Sequence, residues 1–159
     1  MTVACNCYAL RQASRRVSQF YDQVLAPSGL RATQYMMLAE IDQLGPISLL
    51  PLAKHLIMDR ATLGHNLRPL EAKGYVTRSV GADRRSRKVG LTEAGRTVLA
   101  EAKPLWRQAH ALFEAEMGKE EAAQLRIMLG RVAESELTLK KVEARRGARA
   151  RADAPPTCP

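Results

Sequence analysis

An alternating segment near the middle of the chain interrupts patterns that are otherwise helical. Residues 75–80 (Tyr-Val-Thr-Arg-Ser-Val) alternate and are rich in β-branched side chains, which is typical of a strand. Gly81-Ala82-Asp83 predicts a turn, and Val89-Gly90-Leu91 predicts the returning strand. Because helical periodicity precedes and follows this hairpin, the predicted fold is mainly α with a small β-hairpin.

Two short helices are predicted directly before the hairpin. Ser48 can cap the first, and apolar side chains follow it at helical spacing. Asp59 can cap the second, which Gly74 ends, and only Ile57-Met58 joins the two. Two short helices with a tight link predict a helix-turn-helix, and the hairpin that follows predicts its wing.

Longer helices are predicted on both sides of this unit. A helix over residues 10–25 is predicted because Leu10, Ala13, Val17 and Phe20 form an apolar stripe at helical spacing, and Thr33 can cap the next helix. Thr92 can cap the first of two long helices after the hairpin. The fold class is therefore a winged helix-turn-helix flanked by longer helices.

The net charge of +9 is unevenly distributed along the chain. Residues 58–96 carry nine basic and four acidic side chains, whereas residues 97–139 carry five basic and seven acidic ones. A cationic region of this size favours nucleic acid or an anionic membrane as the partner. No apolar run approaches the ~20 residues of a membrane span, and the three cysteines lie near the two ends of the chain. These features predict a cytoplasmic protein with no membrane contact.

The second short helix has two opposite faces. Leu63, Leu67 and Leu70 are expected to pack on the preceding helix. The opposite face combines small positions, which let a backbone approach, with long hydrogen-bond donors, which suit the major groove of duplex DNA. Thr62, near the helix start, is expected to bind a phosphate with help from the helix dipole. The outer face consists of Arg60, Ala61, Gly64, His65 and Arg68.

The hairpin loop is the second cationic feature. Arginines on a thin protrusion suit a narrow minor groove, where the negative potential is deepest. Asp83 can fix the turn or hold Arg85 by a carboxylate–guanidinium bond. The predicted DNA-binding set adds Ser48, Asp83, Arg84, Arg85, Arg87 and Lys88 to the helix residues above.

With these elements in this order, the sequence resembles the multiple-antibiotic-resistance-regulator (MarR) family of winged helix-turn-helix transcription regulators. The matching segments are Leu30–Leu38, Met58–Gly74, the wing's Asp83-Arg84-Arg85 as Asp-x-Arg, and Leu91–Gly95. The likeness spans roughly residues 7–139.

The resemblance implies a bacterial homodimer joined through its first and last helices. It implies a repressor on pseudo-palindromic duplex DNA, nucleoid-associated when bound, with one recognition helix and one wing per half-site. The implied domains are a dimerisation helix (1–30), the DNA-binding domain (31–96), dimerisation helices (97–139) and a disordered basic tail (140–159). An apolar stripe over residues 125–137 fits such a dimer, and it fits ordinary packing within one chain as well.

The sequence leaves two alternatives open for the signal that releases the DNA. The resemblance implies a pocket where a small aromatic or anionic molecule loosens the grip on DNA, and an arginine there could receive a carboxylate. The candidate lining is Arg11, Arg15, Tyr21, Tyr35, Met36 and Trp106. The alternative is oxidation at Cys7, which precedes Tyr21 by 14 residues as in the hydroperoxide-sensing branch, with Cys5 placed to resolve a sulfenate.

A rival class is a sequence-tolerant architectural protein, which the basic tail would suit. An enzyme is not predicted, since the sequence has no Gly-rich phosphate loop and no nucleophile elbow. Neither a cofactor nor a metal is predicted, because His55, His65 and His110 are isolated from one another in sequence.

Overall fold

The structure is a computed structural model and describes residues 5–80, 87–135 and 137. The chain divides into two compact units, residues 1–118 and 119–159. The first unit contains five α-helices, one short 3-10 helix (Ala26–Ser28) and three strands in its described part, and the second contains one described α-helix. The helices are α1 (Asn6–Leu25), α2 (Ala32–Leu44), α3 (Leu49–His55), α4 (Arg60–Ala72), α5 (Glu93–Met117) and α6 (Lys119–Glu134).

The sheet has three antiparallel strands in the order β1-β3-β2. These are β1 (Ile47–Ser48), β2 (Val76–Val80) and β3 (Arg87–Leu91). The predicted hairpin is confirmed as β2 and β3, with Arg78 opposite Val89. The two-residue β1 was not predicted, and its Ser48 pairs with Lys88. Ser48 is therefore the N-cap residue of α3 as expected, although its side chain makes no capping hydrogen bond, and it also belongs to the sheet.

Several predicted helix boundaries are confirmed, and two helix starts are wrong, since α1 begins at Asn6 rather than at residue 10 and α2 begins before Thr33. Asp59 caps α4 by accepting the Thr62 N–H at 2.8 Å, and Thr92 caps α5 by accepting the Gly95 N–H at 3.0 Å. Thr33 does not cap α2, which already begins at Ala32. The Ala32 N–H donates to the carboxylate of Asp22 on α1 at 2.6 Å, so a tertiary contact moves the helix start.

The core of the first unit joins all five α-helices, α1 to α5, and the sheet. Leu63, Leu67 and Leu70 are fully buried, which confirms the predicted inner face of α4. In the predicted apolar stripe of α1, Leu10 and Ala13 are exposed, whereas Tyr21 is buried. The reason is that α1 packs on α5 through its second half, and residues 5–16 all remain exposed.

The second unit is described through α6, which has an amphipathic pattern. Leu125, Met128, Leu129 and Val132 recur at helical spacing, and all four are exposed. No helix in the described ranges is long and apolar enough to span a bilayer.

The link between α3 and α4 contains an unfavourable backbone conformation. Ile57 has φ of 53°, a region that β-branched residues rarely adopt. The turn is held by hydrogen bonds from the Ile57 N–H to Lys54 O (3.2 Å) and from the Met58 N–H to Ala53 O (2.8 Å). The Ile57 side chain is 70% exposed, so burial does little to offset the strain.

We therefore expect Ile57→Gly to raise the free energy of unfolding. Relief of left-handed strain contributes about 1–2 kcal/mol, and glycine's extra unfolded-state entropy takes back about 0.5–1 kcal/mol. Urea denaturation measures the difference, and Ile57→Val is the matched control because valine keeps the β-branched strain. A glycine variant no more stable than the valine variant contradicts the assignment.

Candidate nucleic-acid interface

The amino-terminal end of α4 is organised by one carboxylate. Asp59 accepts the Thr62 N–H at 2.8 Å and the Thr62 hydroxyl at 2.7 Å. The Thr62 hydroxyl and N–H bonds hold the pKa of Asp59 below its ordinary value. The Thr62 hydroxyl donates a hydrogen bond to the Asp59 carboxylate. The predicted hydrogen bond from that hydroxyl to a phosphate would therefore require the bond to Asp59 to break.

A groove runs between α4 and the sheet, and its walls are rich in arginine. Arg60 and Arg68 come from α4, while Arg78 and Arg87 come from β2 and β3. Four guanidinium groups on one groove make it attractive to a polyanion. The lining residues are Arg60, Ala61, Gly64, Arg68, Glu71, Val76, Thr77, Arg78 and Arg87.

The strand register explains why both sheet arginines, Arg78 and Arg87, reach this groove. Residues directly opposite each other on paired strands share a face, and neighbours along a strand alternate. Arg78 pairs with buried Val89, whose next-but-one neighbour on the same face is Arg87. Lys88 lies on the other face, where it pairs with Ser48. Lys88 and Ser48 are thus not brought together with Arg87.

A second, smaller depression lies on another side of α4. Here His65 and Asn66 of α4 meet Arg31, Thr33 and Gln34 at the start of α2. The predicted outer face of α4 is therefore divided, with His65 facing α2 and Arg60, Ala61, Gly64 and Arg68 facing the groove. Asp83, Arg84 and Arg85 lie outside the described residues.

The predicted DNA-binding set lacks four residues of the groove, the charged Arg78 and Glu71 and the uncharged Val76 and Thr77. The Arg78 Nε–H donates a hydrogen bond to the Glu71 carboxylate, and this bond joins β2 to α4 in the wall of the groove. A signal was available in the strand alternation, because Arg78 is two residues from buried Val76 and must share its face. Glu71 carried no comparable signal, since its partner comes from tertiary structure.

The base of the hairpin is tied to the end of α4 by hydrogen bonds. The Thr92 hydroxyl donates to Gly74 O at 2.6 Å, and the Thr92 N–H donates to Tyr75 O at 3.0 Å. Gly95, one turn into α5, sits so close to Tyr75 that an added Cβ would lie 2.0 Å from its carbonyl oxygen. The end of α4, the base of the β2–β3 hairpin and the start of α5 therefore meet at one point.

Comparison with known proteins places this architecture in a family. The MarR family model matches residues 30–86, the segment that holds α2, α3, α4 and β2. The transcriptional regulator MosR of M. tuberculosis, solved in complex with DNA, is 35% identical over 89% of this chain and 98% of that one, with a TM-score of 0.74. The chain belongs to the MarR family. The members of this family are winged helix-turn-helix transcription regulators, which are DNA-binding proteins and not enzymes.

Two further MarR-like relatives bear on the interpretation. BpsR from Bordetella bronchiseptica, whose DNA binding is regulated by 6-hydroxynicotinic acid, is 25% identical over 86% of this chain and 98% of that one, with a TM-score of 0.76. The HTH-type transcriptional regulator SarZ from Staphylococcus haemolyticus is 32% identical over 56% of this chain and 61% of SarZ. The chain thus spans about three fifths of the length of the curated relatives it matches.

Within this MarR-family chain, the predicted effector residues fall into two groups. Trp106 stacks on Tyr35 with ring centroids 4.4 Å apart, and its edge contact with Tyr21 is 4.7 Å. Burial raises the pKa of Tyr35, and the charge of nearby Arg107 partly opposes that rise. The other predicted residues, Arg11, Arg15 and Met36, are exposed and do not join the aromatic cluster in a single chain.

A pocket of about 440 Å³ lies between α2 and α5, beside this aromatic cluster. Of the predicted effector residues it includes Tyr35 alone. Its cationic members, Arg96 and Lys103, come from α5 and were not predicted. The remaining lining is Ala39, Asp42, Gln43, Leu99 and Ala100.

The two described cysteines lie at the start of α1. Cys5 is the N-cap residue and Cys7 is in the first turn, and both are exposed free thiols. Tyr21 is 14 residues further along the same helix, which is about 21 Å at 1.5 Å per residue. Cys7 and Tyr21 therefore do not meet within one chain.

Proposed function

We propose that the chain is a homodimeric repressor that binds pseudo-palindromic duplex DNA through α4 and the wing. The observation that carries the proposal is the arginine-rich groove between α4 and the sheet. Ala61 and Gly64 make one wall small enough for close approach of a base edge, while Arg60 and Arg68 supply donors. Arg84 and Arg85 at the hairpin tip complete the proposed wing contact on the sequence pattern alone.

The proposed dimer rests on exposed apolar surface in each unit. In the first unit, α1 presents Tyr8 and Leu10 to solvent. In the second, α6 presents the Leu125–Val132 stripe. Exposed apolar surface of this kind is typical of a protein interface. Sedimentation equilibrium tests the proposal: Met128→Glu with Val132→Glu should yield monomers, whereas Arg126→Glu, also on α6, should leave the dimer intact.

The experiment that tests the function is selection of bound genomic fragments, followed by affinity measurements on the recovered site and on a scrambled duplex. A regulator prefers its own site by about 10³-fold or more and shows half-sites about one helical turn apart. Equal affinity for both duplexes, with a steep salt dependence, would favour the architectural class instead.

Two arginine variants separate base contacts from backbone contacts. Arg68→Ala on α4 is expected to weaken binding to the selected site about 10- to 100-fold and to relax preference at particular bases. Arg87→Ala on β3 is expected to weaken both duplexes alike and to reduce the slope of log affinity against log salt by about one. Fluorescence anisotropy at several salt concentrations measures both. The sequence predicts the same uniform effect for Arg85→Ala.

The proposed signal is a small aromatic or anionic molecule in the pocket between α2 and α5. The pocket volume falls within the usual range of about 300–1,000 Å³ for small-molecule sites. Arg96 and Lys103 could receive a carboxylate, and the regulation of BpsR by an aromatic acid is consistent with this class of effector. Lys103→Ala should abolish release of DNA by an active compound without changing DNA affinity in its absence.

Thiol oxidation is the second candidate signal, favoured by the exposure of Cys5 and Cys7. Peroxide should release DNA from the wild type but not from Cys7→Ser. Release from both proteins, or from neither, excludes Cys7 as the sensor.

A further inference from the structure

One ion pair in the wall of the groove joins the recognition helix α4 to strand β2 of the wing. Glu71 lies in the last turn of α4, and Arg78 lies at the centre of β2. The Arg78 Nε donates to Glu71 Oε1, and the two side chains are 30% and 28% exposed respectively. The pair is thus partly shielded from solvent and forms part of the groove wall itself.

The acidic member of this pair is unexpected in such a place. Glu71 is the one acidic side chain among the described residues that line the groove. A carboxylate beside a phosphate backbone opposes binding, because DNA affinity depends on cationic neutralisation of phosphates. Glu71 must therefore either weaken binding or act through the arginine that it holds.

The geometry favours action through the arginine. A guanidinium has five N–H donors in a fixed planar fork. Pairing through Nε occupies one side of the fork and leaves the two terminal nitrogens for other acceptors. A carboxylate that fixes an arginine in this way reduces the side-chain entropy lost when a phosphate binds.

The surroundings also fix the backbone that carries each partner. Arg78 sits opposite fully buried Val89 in the middle of the β2–β3 ladder. Glu71 follows buried Leu70, and its carbonyl accepts the Gly74 N–H at 2.9 Å where α4 ends. The pair therefore connects two rigid elements and is not a contact between mobile loops.

We propose that Arg78 contacts the phosphate backbone of bound DNA and that Glu71 is its positioning residue. The same pair holds the wing at a fixed distance from the recognition helix, so that both reach their grooves together. This inference rests on the proposed DNA-binding function and assigns roles to two residues that the helix-turn-helix pattern does not single out.

The test measures affinity and salt dependence for full-length variants on the selected duplex. Arg78→Gln should weaken binding about 10-fold or more and reduce the salt slope by about one. Glu71→Gln should weaken binding about 5-fold with the slope unchanged, because the phosphate contact persists but is less well ordered. In the Arg78→Gln background, Glu71→Gln should cause no further loss of DNA affinity. Compared with Arg78→Gln, Arg78→Lys should regain the wild-type dependence of log affinity on log salt but only part of the wild-type affinity.

A matched control is available in the exposed Glu93–Arg96 pair at 3.3 Å, which lies outside the groove. Glu93→Gln should leave DNA affinity unchanged. Thermal unfolding of each variant checks that a loss of affinity does not come from a loss of fold.

Two results would overturn the inference. Tighter binding by Glu71→Gln would mean that the carboxylate only repels DNA. An unchanged salt slope in Arg78→Gln would mean that Arg78 contacts no phosphate. If Arg68→Ala loses affinity while both Arg78 variants keep it, the groove binds DNA and only this inference fails. If none of them loses affinity, the proposed interface itself is wrong.

Discussion

Replacing Gly95 by alanine is expected to destabilise the DNA-binding unit severely, although it adds only one methyl group. The added Cβ would lie 2.0 Å from the carbonyl oxygen of Tyr75 and 2.9 Å from its carbonyl carbon. Both are backbone atoms, so rotation of a side chain cannot relieve the overlap. Overpacking costs about 1–3 kcal/mol and occasionally more, and an overlap this deep places Gly95→Ala at the top of that range or beyond.

The backbone around Tyr75 has little freedom to retreat. Its N–H donates to Leu70 O at 2.9 Å, and its carbonyl accepts the Thr92 N–H at 3.0 Å. Moving α5 away would also break the bond from the Thr92 hydroxyl to Gly74 O. The clash therefore spreads to the end of α4, the base of the wing and the start of α5.

Thermal unfolding followed by circular dichroism measures the effect. A loss of about 3 kcal/mol lowers the melting temperature by roughly 10 °C in a chain of this size. Gly130→Ala on α6 is the control, since its Cβ meets nothing within 4 Å and alanine favours a helix by about 0.5–1 kcal/mol. Equal melting temperatures for the two variants would show that α5 does not approach Tyr75 as described.

Local signals in the sequence were enough to predict most of the elements. Capping by Asp59 and Thr92 depends on residues three positions away, and the β2–β3 hairpin follows from alternation over a few residues. The inner face of α4 follows from the spacing of its leucines. These features are set by neighbours in sequence, which is why periodicity and capping rules find them.

Features that depend on distant partners were missed or misplaced. Strand β1 has only two residues and exists because it pairs with β3. At the start of α2, the contact between Asp22 on α1 and Ala32, ten residues away, adds to a local capping box of Arg31 with Gln34. The pairing of Glu71 with Arg78 depends on how β2 lies against α4. None of these contacts leaves a periodic pattern, so sequence inspection had no signal for them.

Gly64 lies on the groove-facing side of α4, where an added side chain is expected to improve folding and impair DNA binding. A Cβ at this position meets no protein atom within 4 Å. Alanine at this half-buried helical position should therefore raise the free energy of unfolding by about 0.5–1 kcal/mol. If DNA lies against the groove that Gly64 lines, the DNA fills the space beside Gly64 that is open in the free protein. An added side chain would then collide with the DNA.

The graded series Gly64→Ala and Gly64→Leu separates these two effects. Alanine and leucine have similar helix propensities, so both variants should melt above the wild type, whereas DNA affinity should fall with side-chain size. A loss of about 10-fold for alanine and about 100-fold for leucine corresponds to the disruption of one or two good base contacts. Anisotropy titrations on the selected duplex give the affinities, and thermal unfolding gives the stabilities. Wild-type affinity in a stably folded Gly64→Leu protein would mean that α4 does not enter the major groove with this face, because no bound duplex could leave room for the leucine.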